Sequence, residues 1–400
     1  MISIFIYVRF IAYNMKEKEY SGMKRLLILV IEGCSPEYIS LENTPNLYRI
    51  AKDGFCKGVK AAVPTIYNVN HATILTGKFP CEHKVIGNSV YRPETGETEL
   101  LDDSCLEETG TIMDFMHKKG ASTALLTVRS GVLEKLGRNV DFGISVEKPK
   151  DILIHYLDMP APPPVESLQA AVWILEACYR LIRKNSIDTI YCATSDYMMK
   201  RYAPDSREAL RQMRKIDEWL GRIYDLDHDR EIYITGGYGM TGKPHLINLQ
   251  AVLDKKGFDV HCHFPYRENE AAAGKGGEVP AGQIGLSFLY LRGNQKQNPE
   301  ELVAFLESAP YVDMVSPKDE ASRRFNLPAE LIGDYMVSAA DGYAFAEFDG
   351  EELIIENARS NGSLLERAIP LIAVNAAEVP EKYRYSRDIA KIIMESKDRQ

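Results

Sequence analysis

Residues 25–33 read RLLILVIEG, an unbroken apolar run that ends at a glycine. Continuous rather than alternating apolar residues are typical of a strand buried on both faces of a parallel sheet. Residues 44–54, TPNLYRIAKDG, then predict a helix, because Thr44 and Pro45 suit its N-cap and first turn and Gly54 suits its end. Strand and helix together predict the first β-α unit of an α/β fold.

The same kind of unit recurs along the chain. Further strands are predicted at STALLTV (122–128), DTIYCAT (188–194), EIYITGG (231–237) and IPLIAVN (369–375), most of them next to helical patterns. This order predicts a doubly wound, mainly parallel sheet flanked by helices, with a smaller α+β cap inserted where the pattern loosens. The expected divisions are an extension outside the fold (1–23), a core (24–243), the cap (244–345) and a return to the core (346–400).

Composition restricts the function classes. The chain has 400 residues, 45% apolar and 26% charged, with a net charge of −9, so no global positive field favours nucleic acid or an anionic membrane. Seven cysteines without a C-x-x-C spacing argue against a disulfide framework or zinc ribbon and favour a cytoplasmic location. The apolar opening is short, is broken by Arg9 and lacks a cleavage site, so we expect neither signal nor anchor, with Met15 or Met23 as a plausible start.

Polar residues gather at the carboxyl ends of the predicted strands, where open α/β sheets bind ligands. Five segments carry them in order: VIEGCSPEYI (30–39), VPTIYNVNHATILTGKFPCEHKVIGN (63–88), TSDYMMKRYAP (194–204), TGGYGMTGK (235–243) and RSNG (359–362). In this order and spacing they resemble the phosphonoacetate hydrolases and nucleotide pyrophosphatase/phosphodiesterases of the alkaline phosphatase superfamily. The resemblance extends from about residue 26 to residue 375 and implies the alkaline-phosphatase-like fold.

The resemblance also implies a mechanism, in which two zinc ions activate a threonine nucleophile and hold the phosphoryl oxygens. In this chain Tyr67 stands at the nucleophile position, whereas Asn88 matches the oxyanion-binding asparagine. Among the six ligand positions Asp196 is unchanged and Glu32 replaces an aspartate. The other four positions hold a cation, a glycine, a phenol and an amide, namely Lys200, Gly237, Tyr238 and Asn361.

These substitutions leave too few donors for two zinc ions, each of which takes about three or four good ligands. The sequence therefore predicts no metal and no other cofactor, although the resemblance implies zinc. None of the eight histidines falls at a ligand position, and His71 and His83 are expected outside the metal shell. His261 and His263 are interpreted as part of a cap strand, with a metal-binding hairpin as the alternative.

Loss of two metals would remove positive charge from a site that receives anions in the family. Lys200, Arg129 in TVRSG (127–131) and Lys243 are predicted to supply it, as a cradle for a small anionic ligand. The alternative for Lys200 is an ion pair with Asp196 and Glu32, and for Arg129 an ordinary ion pair. The alternative for Tyr67 and Tyr238 is that their rings fill the space left by the lost metal ions.

Three functions remain open from the sequence. The first is a metal-independent enzyme acting on a small phosphonate, phosphate or carboxylate, in which Tyr67, Lys200 and Tyr238 are catalytic and Tyr67 or Lys200 acts as general acid or base through a lowered pKa. Glu32, Asn88, Arg129, Asp196, Lys243 and Asn361 would then bind the ligand. The second is a pseudoenzyme that binds a ligand or protein. The third is a hydrolase with one Mg²⁺ or Mn²⁺ on Glu32 and Asp196. Nothing in the sequence specifies an oligomeric state.

Overall fold

A computed structural model describes residues 24–101, 109–184, 187–266 and 283–398. The predicted extension, Cys105 and the Gly-rich stretch 271–282 of the predicted cap lie outside the described residues. The strands are β1 Leu26–Ile31, β2 Phe55–Lys60, β3 Ser89–Arg92, β4 Glu97–Leu100, β5 Thr123–Thr127, β6 Phe142–Ser145, β7 Thr189–Ala193, β8 Glu231–Gly236, β9 Thr241–Gly242, β10 His245–Ile247, β11 Val260–His263, β12 Leu286–Leu291, β13 Val312–Pro317, β14 Tyr335–Ala339, β15 Tyr343–Phe345, β16 Glu352–Ile354, β17 Arg359–Ser360 and β18 Ala368–Val374.

The helices alternate with these strands through the first half of the chain. They are α1 Pro45–Lys52, α2 Tyr67–Thr76, α3 Pro80–His83, α4 Ile112–Lys118, α5 Ser130–Leu136, α6 Asp151–Tyr156, α7 Leu168–Lys184, α8 Tyr197–Arg201, α9 Arg207–Tyr224, α10 Leu249–Lys255, α11 Glu300–Ser308, α12 Lys318–Phe325 and α13 Asp388–Asp398. No described helix combines the length and the apolar character needed to cross a membrane.

The central sheet has seven strands in the order β2-β18-β8-β1-β7-β5-β6. Strands β1, β5, β6, β7 and β8 run parallel, whereas β18 is antiparallel to both of its neighbours. All six residues of β1 are buried, which is what the continuous apolar run predicted. The predicted α/β class with a mainly parallel sheet flanked by helices is therefore confirmed.

Helices cover the sheet in two groups. One group packs α1, α7 and α9 together, and the other packs α2, α4 and α13 together. The N-terminus of α1 is capped from α9, because the Asp217 carboxylate accepts hydrogen bonds from the backbone N–H groups of Asn46 (3.0 Å) and Leu47 (2.8 Å). Thr44, the predicted cap, instead donates its hydroxyl to the Ser40 carbonyl (2.8 Å). Tertiary contact thus replaces the local cap.

Two smaller sheets are inserted before the chain returns to the core. Strands β11, β12, β14 and β13 form an antiparallel sheet with α11 and α12 beside it, and β15, β10 and β16 form a three-stranded sheet. Strand β18 then enters the central sheet next to β8. The strand ends of the central sheet, the start of α2 and the start of α8 position the residues described next.

Candidate functional site

Glu32 follows the last residue of β1 and is almost completely buried, with 1% of its surface exposed. Its backbone N–H donates to the Thr194 hydroxyl at 3.1 Å. Gly237 follows the end of the neighbouring strand β8. A Cβ atom at Gly237 would lie 2.6 Å from Glu32 Oε2 and 2.7 Å from Oε1. The Glu32 carboxylate therefore fills the space that any side chain at position 237 would need.

His71 lies directly against this carboxylate, one helical turn after the start of α2. Its Nε2 is 3.1 Å from Glu32 Oε1, and both side chains are 1% exposed. The distance is that of an ion pair, and Nε2 and both carboxylate oxygens have no hydrogen-bond partner among the described residues. His71, which the sequence placed outside the metal shell, thus contacts Glu32, because α2 turns it inward beside β1.

The other ring nitrogen of His71 is held by β7. Nδ1 lies 2.5 Å from the Tyr191 hydroxyl. Burial, followed by the nearby Glu32 charge, raises the pKa of Tyr191 well above its usual value, so the phenol keeps its proton and can donate it to Nδ1. Nδ1 thus accepts this hydrogen bond, and Nε2 faces Glu32. Sequence reasoning missed this chain of Glu32, His71 and Tyr191, because no spacing in the sequence connects the three residues.

Tyr67 begins α2 and packs its ring edge-on to His71, with ring centroids 4.3 Å apart. Its hydroxyl is buried and has no hydrogen-bond partner among the described residues. Burial, then the charge of Glu32, raises the pKa of Tyr67 well above its usual value, and Arg129 only partly opposes this. The hypothesis of a Tyr67 acid/base with lowered pKa is therefore wrong in direction, because burial and anions outweigh the nearby cation.

Asp196, at the start of α8, gathers the next two predicted residues. The Tyr238 hydroxyl donates to Asp196 Oδ2 at 3.0 Å, and Lys200 Nζ lies 3.7 Å from the same oxygen. Burial, then the Asp196 charge, raises the pKa of Tyr238 well above its usual value, so this phenol also stays protonated. Lys200 keeps 30% of its side chain exposed. The predicted pairing of Lys200 with Asp196 is present.

Arg129 reaches the site from the end of β5, at the N-cap of α5. Its guanidinium pairs with Glu166, and 32% of the Arg129 side chain is exposed. Burial disfavours its charge, but the Glu166 carboxylate and then Asp196 raise the pKa of Arg129 above its usual value. Tyr266 and Glu147 also act on Arg129 electrostatically. Glu147, Glu166 and Tyr266 are neighbours of the site that sequence reasoning did not identify.

The two predicted asparagines are anchored by backbone contacts. Asn88 is half-buried, and its N–H donates to the Pro265 carbonyl at 2.9 Å. Asn361 donates its side-chain amide to the Thr65 carbonyl at 3.0 Å, two residues before Tyr67. Asn361 thus fixes the chain that leads into α2.

Lys243 does not join the predicted cradle. Its side chain is fully buried, with Nζ 3.2 Å from Glu366 Oε1 and 3.4 Å from the Ser363 hydroxyl. Glu366 also accepts hydrogen bonds from the Thr241 hydroxyl (2.5 Å) and from Ser363. The Lys243 charge is therefore neutralised inside the protein, and only Lys200 and Arg129 remain as partly exposed cations of the predicted three.

His261 and His263 both lie on β11, as the strand interpretation requires. His263 Nε2 is 3.2 Å from the Ser89 carbonyl, which can only accept, so this nitrogen carries a proton. The His261 ring packs against Tyr91, with centroids 3.9 Å apart. In the parts of the chain that the structure describes, no three or more His, Cys, Asp or Glu side chains form a group placed to hold a metal ion.

Comparison with known proteins identifies the family of this chain. Residues 26–363 match the family model of the type I phosphodiesterase / nucleotide pyrophosphatase family. The chain belongs to this family. Curated relatives of the family include human bis(5'-adenosyl)-triphosphatase ENPP4, 22% identical over 251 residues that cover 58% of this chain and 51% of that protein. Human ectonucleotide pyrophosphatase/phosphodiesterase family member 7 is 24% identical over 234 residues, covering 55% and 48%. The matched regions span about half the length of these relatives.

Solved structures agree on the fold across almost the whole chain. Phosphonoacetate hydrolase from Sinorhizobium meliloti in complex with phosphonoacetate has a TM-score of 0.81 and 26% identity, covering 93% of this chain and 95% of that one. Murine ectonucleotide pyrophosphatase/phosphodiesterase 5, as an inactive variant with AMP, has a TM-score of 0.64 and 16% identity, covering 94% and 95%. The resemblance to the alkaline phosphatase superfamily is thereby confirmed for family and fold.

Alkaline pH is expected to destabilise the protein through the site's phenols. Near pH 10 a phenol in the unfolded chain releases its proton, whereas Tyr67, Tyr191 and Tyr238 retain theirs because their pKa values are raised. The folded state then binds more protons, so the free energy of unfolding falls as pH rises above about 10. Tyr67→Phe removes one such phenol and should reduce this slope by about 1.4 kcal/mol per pH unit. Urea unfolding at a series of alkaline pH values measures it, and an unchanged slope would contradict the burial of this hydroxyl.

Proposed function

We propose that this protein binds a small anionic ligand without zinc at the site lined by Glu32, Asp196, Lys200 and Tyr238, and that it does not carry out two-zinc phosphoryl hydrolysis. The observation that carries the proposal is the position of the Glu32 carboxylate, which fills the space against Gly237. Position 237 is one of those at which the resemblance implies a metal ligand. Glu32, which is longer than the aspartate that the resemblance implies, thus occupies the space that Gly237 leaves free.

The donors that surround this space do not fit two zinc ions. The usable donors are the carboxylates of Glu32 and Asp196 and the imidazole of His71. Asp196 is already engaged by the Tyr238 hydroxyl and by the Lys200 ammonium, a cation that would repel a metal. Two tetrahedral zinc sites need roughly twice as many good donors as this. We therefore assign no step of chemistry to zinc in this chain.

Lys200 and Arg129 support the anionic end of the ligand. Each keeps about a third of its side chain exposed, at 30% and 32%, and each is paired with a carboxylate, so an entering anion can exchange with that partner. The phosphonoacetate hydrolase from Sinorhizobium meliloti was solved with phosphonoacetate and with phosphonoformate. These two anions are therefore the first probes for this chain.

The raised pKa values favour binding over catalysis. Tyr67 and Tyr238 both keep their protons at neutral pH, so neither supplies the phenolate that a nucleophile or general base requires. As protonated phenols they can still donate hydrogen bonds to a ligand. We accordingly propose that the protein binds its ligand without catalysis. The experiment below would detect the alternative, a hydrolase with a single metal ion.

Phosphonoacetate is expected to raise the melting temperature of the protein after chelator treatment, and Lys200→Ala is expected to reduce this shift. A millimolar ligand at a hundred times its dissociation constant would stabilise by about 2.7 kcal/mol, and loss of one charge-assisted contact would remove about 1.5–3 kcal/mol of binding. The measurement is differential scanning fluorimetry over a phosphonate series, with elemental analysis of the protein purified without chelator.

Lys391→Ala is the matched control for this test. Lys391 forms an ion pair with Glu395 at 3.8 Å with the same four-residue spacing as Lys200 and Asp196, but on α13. Its loss should leave the anion response unchanged. Near two equivalents of zinc, or hydrolysis of p-nitrophenyl phosphodiesters that requires zinc, would refute the proposal, whereas hydrolysis with Mg²⁺ or Mn²⁺ would support the single-metal alternative.

A cytoplasmic location is proposed on separate grounds. The six cysteines within the described ranges are all free thiols. Free buried thiols suit a reducing compartment.

A further inference from the structure

Four polar atoms without hydrogen-bond partners cluster in the interior of the site. They are Glu32 Oε1 and Oε2, Tyr67 Oη and His71 Nε2, and each is buried without a hydrogen-bond partner among the described residues, although Nε2 and Oε1 lie 3.1 Å apart. Buried polar atoms are nearly always paired, and an unpaired group costs about 1–3 kcal/mol. A group of them in one place therefore indicates a binding partner for these atoms.

The cluster is continuous in space. His71 contacts Glu32 through Nε2 at 3.1 Å and contacts the Tyr67 ring at a centroid distance of 4.3 Å. Glu32 and Tyr67 thus flank the same imidazole. The charge of Glu32 also acts directly on the Tyr67 hydroxyl. Glu32, His71 and Tyr67 therefore form one buried group of polar side chains.

The chemistry of the cluster selects the kind of group. A carboxylate only accepts hydrogen bonds, and a protonated phenol can accept as well as donate. Among the described residues named above, four carboxylates (Glu32, Glu147, Asp196 and Glu166) lie at the site or act on its charges, against the two cations Arg129 and Lys200, and the His71 imidazole lies beside Glu32. The interior is thus anionic, whereas both cations keep exposed surface at its edge. An entirely anionic ligand would leave the buried acceptors unpaired.

We propose that the ligand is a zwitterion whose ammonium group binds Glu32 and Tyr67 and whose phosphonate or carboxylate binds Arg129 and Lys200. This inference rests on the proposed anion-binding function and specifies its ligand class, an ω-amino acid or aminoalkylphosphonate. An ammonium carries three donors, which match the two Glu32 oxygens and the Tyr67 hydroxyl oxygen. A metal ion on Glu32 would instead require several further oxygen ligands.

Isothermal titration calorimetry with matched phosphonates tests the inference on the unmodified protein. We expect 2-aminoethylphosphonate to bind at least about tenfold more tightly than ethylphosphonate, because a charge-assisted hydrogen bond to a buried acceptor has that magnitude. The trimethylammonium analogue keeps the charge but has no N–H donor, so it should lose this advantage. β-Alanine against propionate repeats the comparison for a carboxylate.

Glu32→Gln provides the mutational arm. The amide keeps the shape of the side chain but removes the charge, so the preference for the aminated phosphonate should disappear while ethylphosphonate still binds. Glu351→Gln, which changes an exposed carboxylate paired with Lys255, is the control for charge removal. If Glu32→Gln does not fold, the three phosphonates on the unmodified protein still decide the question.

The outcomes separate the two proposals. Equal affinity for 2-aminoethylphosphonate and ethylphosphonate overturns the zwitterion inference and leaves the anion site standing. Absence of binding by every phosphonate and carboxylate overturns both. Binding of the aminated ligand only when Mg²⁺ or Mn²⁺ is added would also overturn the inference, because a metal rather than an ammonium would then occupy the position beside Glu32.

Discussion

Replacing Lys243 by methionine is expected to lower the free energy of unfolding by about 3–5 kcal/mol, because it leaves the Glu366 carboxylate buried without its counter-charge. Both side chains of this ion pair are completely buried, and Nζ lies 3.2 Å from Oε1. Hydrogen bonds from Thr241 and Ser363 hold the carboxylate in place, so it cannot turn toward water. Urea unfolding at neutral pH measures the loss.

Removing the partner charge as well provides the control for Lys243. Glu366→Gln in the Lys243→Met background should recover part of the stability, because no isolated charge then remains buried. The anion-induced rise in melting temperature should persist in Lys243→Met, since this lysine is buried and not exposed to ligand. A variant as stable as the parent would show that the ion pair is absent, and loss of the anion response alone would restore Lys243 to the ligand-binding group.

The fold was readable from the sequence because its central strands are buried on both faces. Strand β1 is an unbroken apolar run, and strand β8 is recognisable for the same reason. Boundaries shifted by one or two residues where tertiary contacts decide them. Helix α1 begins at Pro45 after Thr44, as predicted, but Asp217 of α9 accepts the capping hydrogen bonds that the local sequence assigned to Thr44.

The site was readable only in part, because a sequence match locates residues along the chain but not the directions of their side chains. Glu32 follows β1, Asp196 precedes α8 and Tyr238 lies just after β8, whereas Lys200 lies near the end of α8 and contacts Asp196. His71 was missed, because its contact with Glu32 depends on how α2 sits against β1. Lys243 was assigned to the ligand-binding group because the sequence does not show that its side chain turns into the interior and pairs with Glu366.

The partner of Lys243 shows why such a residue escapes sequence reasoning. Glu366 lies in a short helical turn, Leu365–Arg367, just before β18, and no spacing rule connects it with the end of β8. The two are joined only because β9 pairs with β17 and brings these distant segments together. The charge of Lys243 suggested a ligand-binding residue, whereas its burial against Glu366 gives it a structural role.

Gly237→Ala is expected to reduce the free energy of unfolding by about 1–3 kcal/mol, the usual effect of overfilling a packed interior. The new methyl group would lie 2.6–2.7 Å from the Glu32 carboxylate oxygens, well inside contact distance. Gly237 does not have a positive φ, so the backbone itself accepts an alanine. The penalty therefore arises from the carboxylate and not from the main chain. Chemical denaturation of the single variant measures it.

The same substitution in a Glu32→Ala background separates this clash from any other effect. With the carboxylate removed, an alanine at position 237 no longer meets the three atoms nearest to its methyl group, and its smaller conformational freedom in the unfolded chain should make it neutral or stabilising by about 0.4–1 kcal/mol. The two changes should thus show a coupling energy of a few kcal/mol in a double-mutant cycle. Additive effects would mean that Glu32 points elsewhere. In that case the space against Gly237 would be open, and the principal reason for excluding a metal ligand from this position would be lost.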